Sequence, residues 1–432
     1  MNAEPRRFLF ATWEGGGSVA PALTVARKLA RRGHRVRVMS DRCNRPEVEA
    51  ADAEFRPWTR APSRPDRSRH TDLMRDWEAQ SPQEGIARTL DAVWAGPALA
   101  YAQDLIEELR REPADLVVSS DMLFGVMAGC EAMGQPLALL AANVCLYPTP
   151  GLPPMGPGLT PAATPQDEAL HREIAAGVIA LTDHGLPALN GARSALGLAP
   201  LEHLVDQAKA AERLLLATSR AFDFAPPSLP DHIRYVGPQL DAPSWAEPWA
   251  SPWPAGDPRP LVAVGFSTSF QNHAAVMQRV IDALGELAVR GLVTLGGALE
   301  PSELRGTDNV RIVHSAPHDA VMREAAVVVT HGGHGTVSRA LMHQRPMLII
   351  PHGRDQTDNA VRVTHRGAGL SLTPAAGTAE IRTALSRLLE EPGFREAAAR
   401  LGSRVAEEVR SSPVVEELEA LAQARLEQPC VA

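Results

Sequence analysis

The feature that most constrains this chain is a run of ten prolines, Pro226, Pro227, Pro230, Pro238, Pro243, Pro248, Pro252, Pro254, Pro258 and Pro260. Proline fixes φ and donates no hydrogen bond, so a stretch this dense sustains neither a helix nor a central strand. It reads as a linker, and it cuts the 432 residues into two halves. Each half alternates short apolar runs with helical patterns. In the first, residues 8–12 read as a buried strand, Gly15-Gly16-Gly17 as a loop, and 21–32 as a helix with Leu23, Ala26, Leu29 and Ala30 at helical spacing. Gly33 stops that helix before a strand over 36–39, and 116–119, 122–133 and 137–141 repeat strand, helix, strand. In the second half, strands read over 261–264, 293–297, 310–313, 326–330 and 347–350. Alternation of this kind predicts parallel, doubly wound sheets. The fold class expected is therefore α/β, with two Rossmann-like domains facing a central cleft. The predicted divisions are 1–225, a linker over 226–260, 261–412, and a terminal helix over 413–432 that packs back on the first domain. The stretch 147–165 reads as a mobile loop.

Composition excludes several classes. Hydrophobic residues at 44% and charged residues at 22% describe a globular chain, and a net charge of −8 gives no reason to expect nucleic acid. One basic cluster, Arg27, Lys28, Arg31, Arg32, Arg35 and Arg37, reads as a solvated face, with an anionic surface as the alternative. Cys43, Cys130, Cys145 and Cys430 form no metal-ligand spacing, which predicts reduced thiols and a cytoplasmic setting. No apolar run approaches the ~20 residues that span a bilayer.

The most informative segment is 327–369. A strand ends in His331-Gly332-Gly333-His334-Gly335-Thr336, and a helix pattern follows. Glycines there let backbone N–H groups approach a ligand, and the helix behind them presents unpaired N–H groups and a positive dipole end. That combination suits a diphosphate, to which His331 adds a charge-assisted hydrogen bond. Asp355 and Gln356 open the helix after the next strand and face the same cleft. Two readings stand for them: hydrogen bonds to sugar hydroxyls, or a capping box of Asp355 with Asp358.

These residues, with Arg345-Pro346, Pro351, Asn359-Ala360 and Gly367-Ala368-Gly369, resemble the donor signature of inverting, nucleotide-sugar-dependent glycosyltransferases. That family holds plant UDP-sugar transferases and bacterial macrolide and antibiotic glycosyltransferases, and its fold is GT-B. The first half adds a looser match from Pro21 to Arg32-Gly33-His34. The resemblance implies that His331, Gly333, His334, Gly335 and Thr336 hold the diphosphate and that Asp355 and Gln356 grip the donor sugar. Thr268 resembles the small loop residue over the phosphates, and Ala316 and His318 the segment framing the base. It implies no cofactor beyond the nucleotide sugar and no metal.

Three departures stand out. Ser18 occupies the place of the His that serves the family as base, and a serine hydroxyl cannot take a proton near neutral pH. Asp121 resembles the acid that orients that His; its other reading is a cap for the helix after it. Asp121 acting directly, through water or with Ser18, a contribution from Glu14, or an easily ionised acceptor are the routes that remain. Arg339 replaces the usual ribose-binding Glu and has only donors to offer, to a phosphate or to solvent. Ser315 replaces a stacking aromatic, which leaves uracil and thymine both open. The reaction implied is a single displacement from a UDP- or dTDP-sugar onto a small acceptor, aromatic or polyketide-like, by a chain that is a monomer or homodimer. Trp58, Trp77, Trp94, Phe124 and Tyr147 are available to line the acceptor pocket, with ordinary core as their other reading. Rival readings are a nucleotide-sugar epimerase and a non-catalytic partner of another transferase.

Overall fold

A computed structural model describes residues 4–241, 249–266, 270–297 and 299–424. Seven parallel strands form the first sheet: β1 (Arg7–Ala11), β2 (Arg35–Ser40), β3 (Glu54–Pro57), β4 (Leu116–Ser120), β5 (Leu137–Ala141), β6 (Arg213–Leu216) and β7 (Ile233–Tyr235), in the order β3-β2-β1-β4-β5-β6-β7. Six parallel strands form the second: β8 (Leu261–Gly265), β9 (Arg290–Thr294), β10 (Val310–Val313), β11 (Val327–Thr330), β12 (Met347–Ile349) and β13 (Gly369–Ser371), in the order β10-β9-β8-β11-β12-β13.

The inner strands, such as β5, β8, β11 and β12, are almost wholly apolar because both faces of each sheet are covered. Side chains alternate across the pleat, so Phe8 and Phe10 of β1 join one core cluster while Leu9 and Ala11 join the other. In β8, Val262 and Val264 face one layer and Leu261 and Ala263 the opposite one. Each sheet reverses its winding between its first and fourth strands in the chain, β1 beside β4 and β8 beside β11. Ligands of doubly wound sheets bind in the crevice at such reversals, beyond the carboxyl ends of the strands. Both groups of candidate residues emerge there.

The Pro-rich stretch is not linker throughout. Its residues Ile233–Tyr235 form β7, an edge strand, the one place in a sheet where a Pro-rich neighbourhood is tolerated. Just upstream, Ala221 and Phe222 leave the first sheet and pack in the second half's core with Leu261, Val337 and Ala398. The last described helix, Val414–Ala424, packs the other way: Val414, Leu418 and Leu421 join Leu23, Val36 and Leu116 of the first half. Part of the basic cluster, Arg27, Lys28 and Arg32, clasps these crossings, while Arg31 and Arg35 stay exposed. Arg27 bonds Asp241 at 3.0 Å, Lys28 donates to Gln239 at 2.8 Å, and Arg32 pairs with Glu419 at 2.7 Å. Arg37 is fully buried and pairs with Glu108. The stretch 147–165 is anchored too, since the Gly156 N–H donates to Asp358 at 2.8 Å.

The two halves are locked by one buried ion network. Asp223, 2% exposed, accepts from Arg362 at 2.8 Å and from the Tyr235 hydroxyl at 2.7 Å. The guanidinium groups of Arg362 and Arg366 both stack on Phe224, at 4.9 and 4.8 Å from its centroid. Removing one partner of such a pair leaves an uncompensated buried charge, which costs about 3–5 kcal/mol. Arg362→Ala is therefore expected to lose about 3 kcal/mol of stability in a urea titration. A loss below about 0.5 kcal/mol, the usual range for a surface change, would mean that the network does not hold the halves together.

Candidate active site

At the reversal of the second sheet, β11 ends in Thr330 and the chain turns through Gly332, at φ +97°, into the helix His334–Met342. A side chain at Gly332 would meet Ile349 Cγ2 at 2.8 Å, and one at Gly333 would meet the His331 ring at 2.7 Å. Gly332 is thus required by backbone and packing, while at Gly333 the His331 ring would have to move. Gly335 differs: nothing lies within 4 Å of where its Cβ would be, and it is exposed, so the first turn of the helix is open to a ligand. Gly333 caps this helix without a side chain; its carbonyl accepts from the Thr336 N–H at 3.0 Å, and the His334 and Gly335 N–H groups before it receive no side-chain cap. Thr336 and His318 share a pocket with Gly265 and Thr294 beside that turn.

His331 is 8% exposed, and burial, with His273, His352 and Arg354 close by, pushes its imidazole down to about 3. It is neutral at pH 7 in the free protein, so the charged hydrogen bond expected of it requires a bound anion to raise its pKa. His334 points elsewhere. Its Nε2 lies 2.8 Å from Thr218 Oγ1 of the first half, and burial pushes its imidazole down to about 4, so its side chain joins the halves rather than facing the Gly-rich turn.

Asp355 and Gln356 start the helix Gln356–His365. Asp355 makes no side-chain cap, and Asp358 is used by Gly156, so no capping box forms. Asp355 instead accepts from Asn359 at 2.8 Å, while Asn359 also donates to the Gly332 carbonyl at 2.9 Å, which ties the two donor loops together. Burial raises the Asp355 carboxyl above the usual carboxylate range. The Gln356 amide accepts from the His352 N–H at 2.6 Å and donates to Gln271 at 2.8 Å. Thr268 lies outside the described residues. Ala316 is half-buried against the second half's core. Arg339 is turned inward, where it pairs with Asp319 and donates to the Asp241 carbonyl at 3.2 Å.

At the reversal of the first sheet, Ser18 precedes the helix Val19–Arg31 and makes no cap bond. It lines a small pocket with Thr12, Ser119 and Ser120. Asp121 follows β4 immediately and is 3% exposed. The next helix is Phe124–Met133 with Leu123 at its cap position, so Asp121 is not a helix cap. Burial pushes its carboxyl up to about 7. The Tyr147 hydroxyl donates to its backbone carbonyl, leaving the carboxyl out of that bond. Glu14 is committed elsewhere, accepting from Gly16 at 3.0 Å and from Arg67 at 3.0 Å.

Most of the aromatic residues expected around an acceptor are structural. Trp58 and Phe124 are fully buried, and the Trp58 indole N–H donates to the Thr12 carbonyl at 3.0 Å. Trp94 packs against the same core. Trp77 crosses the cleft and meets Phe270 of the second half edge-on at 5.3 Å. Arg354, missed in the sequence, also crosses: it donates to Asp76 at 2.9 Å and to the Gly15 carbonyl at 3.4 Å. It sits directly before Asp355 with φ +56°, a conformation that favours glycine and is unusual for arginine. His273 and His352 were missed as well, since lone histidines outside a motif carry no sequence signal. Among the described residues, no group of three His, Cys, Asp or Glu side chains gathers to hold a metal, and no helix is long and apolar enough to cross a membrane.

The profile of the family "Erythromycin biosynthesis protein CIII-like, C-terminal domain" matches residues 278–421. The 4'-demethylrebeccamycin synthase of Lentzea aerocolonigenes is 28% identical over 418 residues, covering 91% of this chain and 94% of its own. Among solved structures, the calicheamicin glycosyltransferase CalG4 superposes with a TM-score of 0.73 at 22% identity, covering 99% of this chain and all of its own. The glycosyltransferase VinC, solved in complex with dTDP, gives 0.63 at 20% identity over 98% of this chain and all of its own. With two doubly wound sheets meeting at their ligand-binding edges, the chain has the GT-B fold of these glycosyltransferases, and its residues 278–421 match the CIII-like C-terminal domain.

Proposed function

We propose that this glycosyltransferase moves a sugar from a dTDP- or UDP-sugar onto a hydroxyl of a small aromatic or polyketide-like natural product, with inversion, and that Asp121 is the base. The observation that carries this reading is the bridge made by Arg354. It begins at the residue before Asp355 and ends on the Gly15 carbonyl of the loop that carries Ser18, so the two sheet edges address one space. The relatives named above act in antibiotic assembly, which supports the acceptor class, and the dTDP bound by VinC supports the donor class. The described cysteines, Cys43, Cys130 and Cys145, are all free, as suits a cytoplasmic enzyme.

In the reaction, the acceptor O–H proton passes to a carboxylate oxygen of Asp121 as the acceptor oxygen bonds to the anomeric carbon. The bond from that carbon to the diphosphate oxygen breaks, and its electron pair leaves with the nucleoside diphosphate. Developing charge falls on the first-turn N–H group at Gly335, on the Thr336 hydroxyl, on the helix dipole and on His331. Asp355 and Gln356 hold the sugar. A carboxyl with a pKa near 7 is matched to this task, because near neutral pH it is both available as carboxylate and basic enough to accept the proton. Ser18 orients the acceptor.

Two outcomes test the role of Asp121. Asp121→Asn is expected to lower turnover about 10²–10⁴-fold with donor affinity intact, while Ser18→Ala costs less. Ser18→His restores the usual family residue and is expected to raise turnover of unactivated alcohols. Full activity of Asp121→Asn on such alcohols would remove Asp121 from the chemistry.

The second outcome concerns stability. The folded carboxyl titrates near 7 against an ordinary value of 3.8, so the folded state holds the proton more tightly and loses stability as pH rises between those values. Asn carries no such penalty. Asp121→Asn is therefore expected to match the wild type in thermal stability near pH 4 and to exceed it at pH 8. Equal melting at both pH values would place the ordinary, unshifted carboxyl there.

A further inference from the structure

Beside the donor loop, three histidines from three strand ends gather around one phenylalanine. His331 follows β11, His352 follows β12, and His273 precedes the helix Ala274–Gly285 that follows β8. The Phe266 ring is stacked on His273 with centroids 5.7 Å apart and on His331 at 6.3 Å, and His352 meets it edge-on at 5.7 Å. His273 and His352 are themselves 6.3 Å apart. His273 is 1% exposed, and neither of its ring nitrogens has a hydrogen-bond partner. His352 Nδ1 faces the Ile350 carbonyl at 2.8 Å and so carries the proton, which leaves Nε2 buried without a partner.

A buried polar atom left unpaired costs about 1–3 kcal/mol, so three such nitrogens side by side need an occupant that satisfies them. Packing alone does not call for imidazole, since Phe270 fills the adjoining position with a plain ring. The cluster stands at the carboxyl ends of β8, β11 and β12, where the diphosphate of a sugar nucleotide is read to lie.

We propose that His273 and His352 form part of the anion site for the nucleoside diphosphate, and that the three-histidine cluster takes up a proton from solvent as the diphosphate binds. This rests on the reading of the second half as the donor site. Burial and mutual proximity hold His331 down at about 3 and His273 at about 4 and lower His352 as well, so the cluster is neutral at pH 7 when empty. The charges bearing on it are mostly cations: Arg354 on His331, Arg279 on His352, and Arg69 stacked over Phe270 at 3.7 Å. Asp355, at the neighbouring turn, is held toward its neutral form by burial. A diphosphate brings the missing negative charge, favours the imidazolium form and accepts its N–H groups. Neighbouring imidazolium ions repel, so the cluster shares about one proton.

Calorimetric titration with dTDP and UDP at pH 7.5, in two buffers of different ionisation heat, counts the protons exchanged. The wild type is expected to take up close to one proton, with affinity falling as pH rises. His273→Asn and His352→Asn are each expected to reduce the uptake and to weaken binding about tenfold, which corresponds to 1.4 kcal/mol. His352 is only half-buried, so its variant carries the test if His273→Asn fails to fold. Uptake lost in His331→Asn yet unchanged in the other two variants would overturn the inference. Nucleotide binding without proton uptake in the wild type would overturn it too while leaving the donor site standing. Absence of binding by either nucleotide would instead overturn the donor reading itself.

Discussion

Catalysis across a cleft requires two sheets whose ligand-binding edges face each other at a fixed distance, and in this chain the Asp223 network sets that distance. Asp223 leaves the first sheet just after β6 and is met by Arg362 from a helix that also carries Gln356 and Asn359. A displacement of that helix would move the turn of Asp355 and Gln356, the Gly332 carbonyl bonded by Asn359, and the Gly156 loop bonded by Asp358 together. Phe224 between two guanidinium groups shields the pair from water, which strengthens it and makes it costly to break. The His334–Thr218 contact and the Glu408 carboxylate, which accepts from the Arg220 and Ala221 N–H groups, brace the same crossing. The joint is therefore built into the donor site rather than placed beside it.

The architecture was legible because parallel sheets buried on both faces write continuous apolar runs into the sequence, as 8–11 and 261–264 do. The Gly-rich turn was legible because only glycine fits at Gly332, at φ +97° against Ile349. Proline density located the break between the halves but hid β7, whose three residues at a sheet edge are too short to impose a period. What composition could not show was partnership. Arg27, Lys28 and Arg32 look like a solvated face until their partners Asp241, Gln239 and Glu419 arrive from the linker and the last helix, some 211 to 387 residues away in sequence. Arg339 looks like a ligand for phosphate until Asp319 is seen beside it. Trp58 and Phe124 look like pocket walls for the same reason: an aromatic residue announces its area, not the direction in which it is buried. Arg354, His273 and His352 belong to no motif and become visible only when separate strand ends converge.

The electrostatics of the two edges are opposite in kind and fit one reaction. On the donor edge, burial and neighbouring cations hold His331 neutral, so an arriving anion is what completes the site. On the opposite edge, burial raises Asp121, which directly follows Ser119 and Ser120 of the pocket that Ser18 lines. A carboxylate held in a dry pocket gains basicity from the same desolvation that destabilises it, and the proposed mechanism uses that basicity in place of the imidazole that usually stands between acid and acceptor. Glu14 cannot share that role while Arg67 and the Gly16 N–H occupy its oxygens.

That substitution of a buried carboxyl for an imidazole is the central claim, and the pH dependence of kcat/KM tests it most directly. For transfer to an unactivated alcohol, the profile should rise with a slope of one and level off through a pKa near 7, the value that burial gives the Asp121 carboxyl. A rate independent of pH between 5 and 9 on such an acceptor would contradict it, because no group titrating in that range would then be taking the proton.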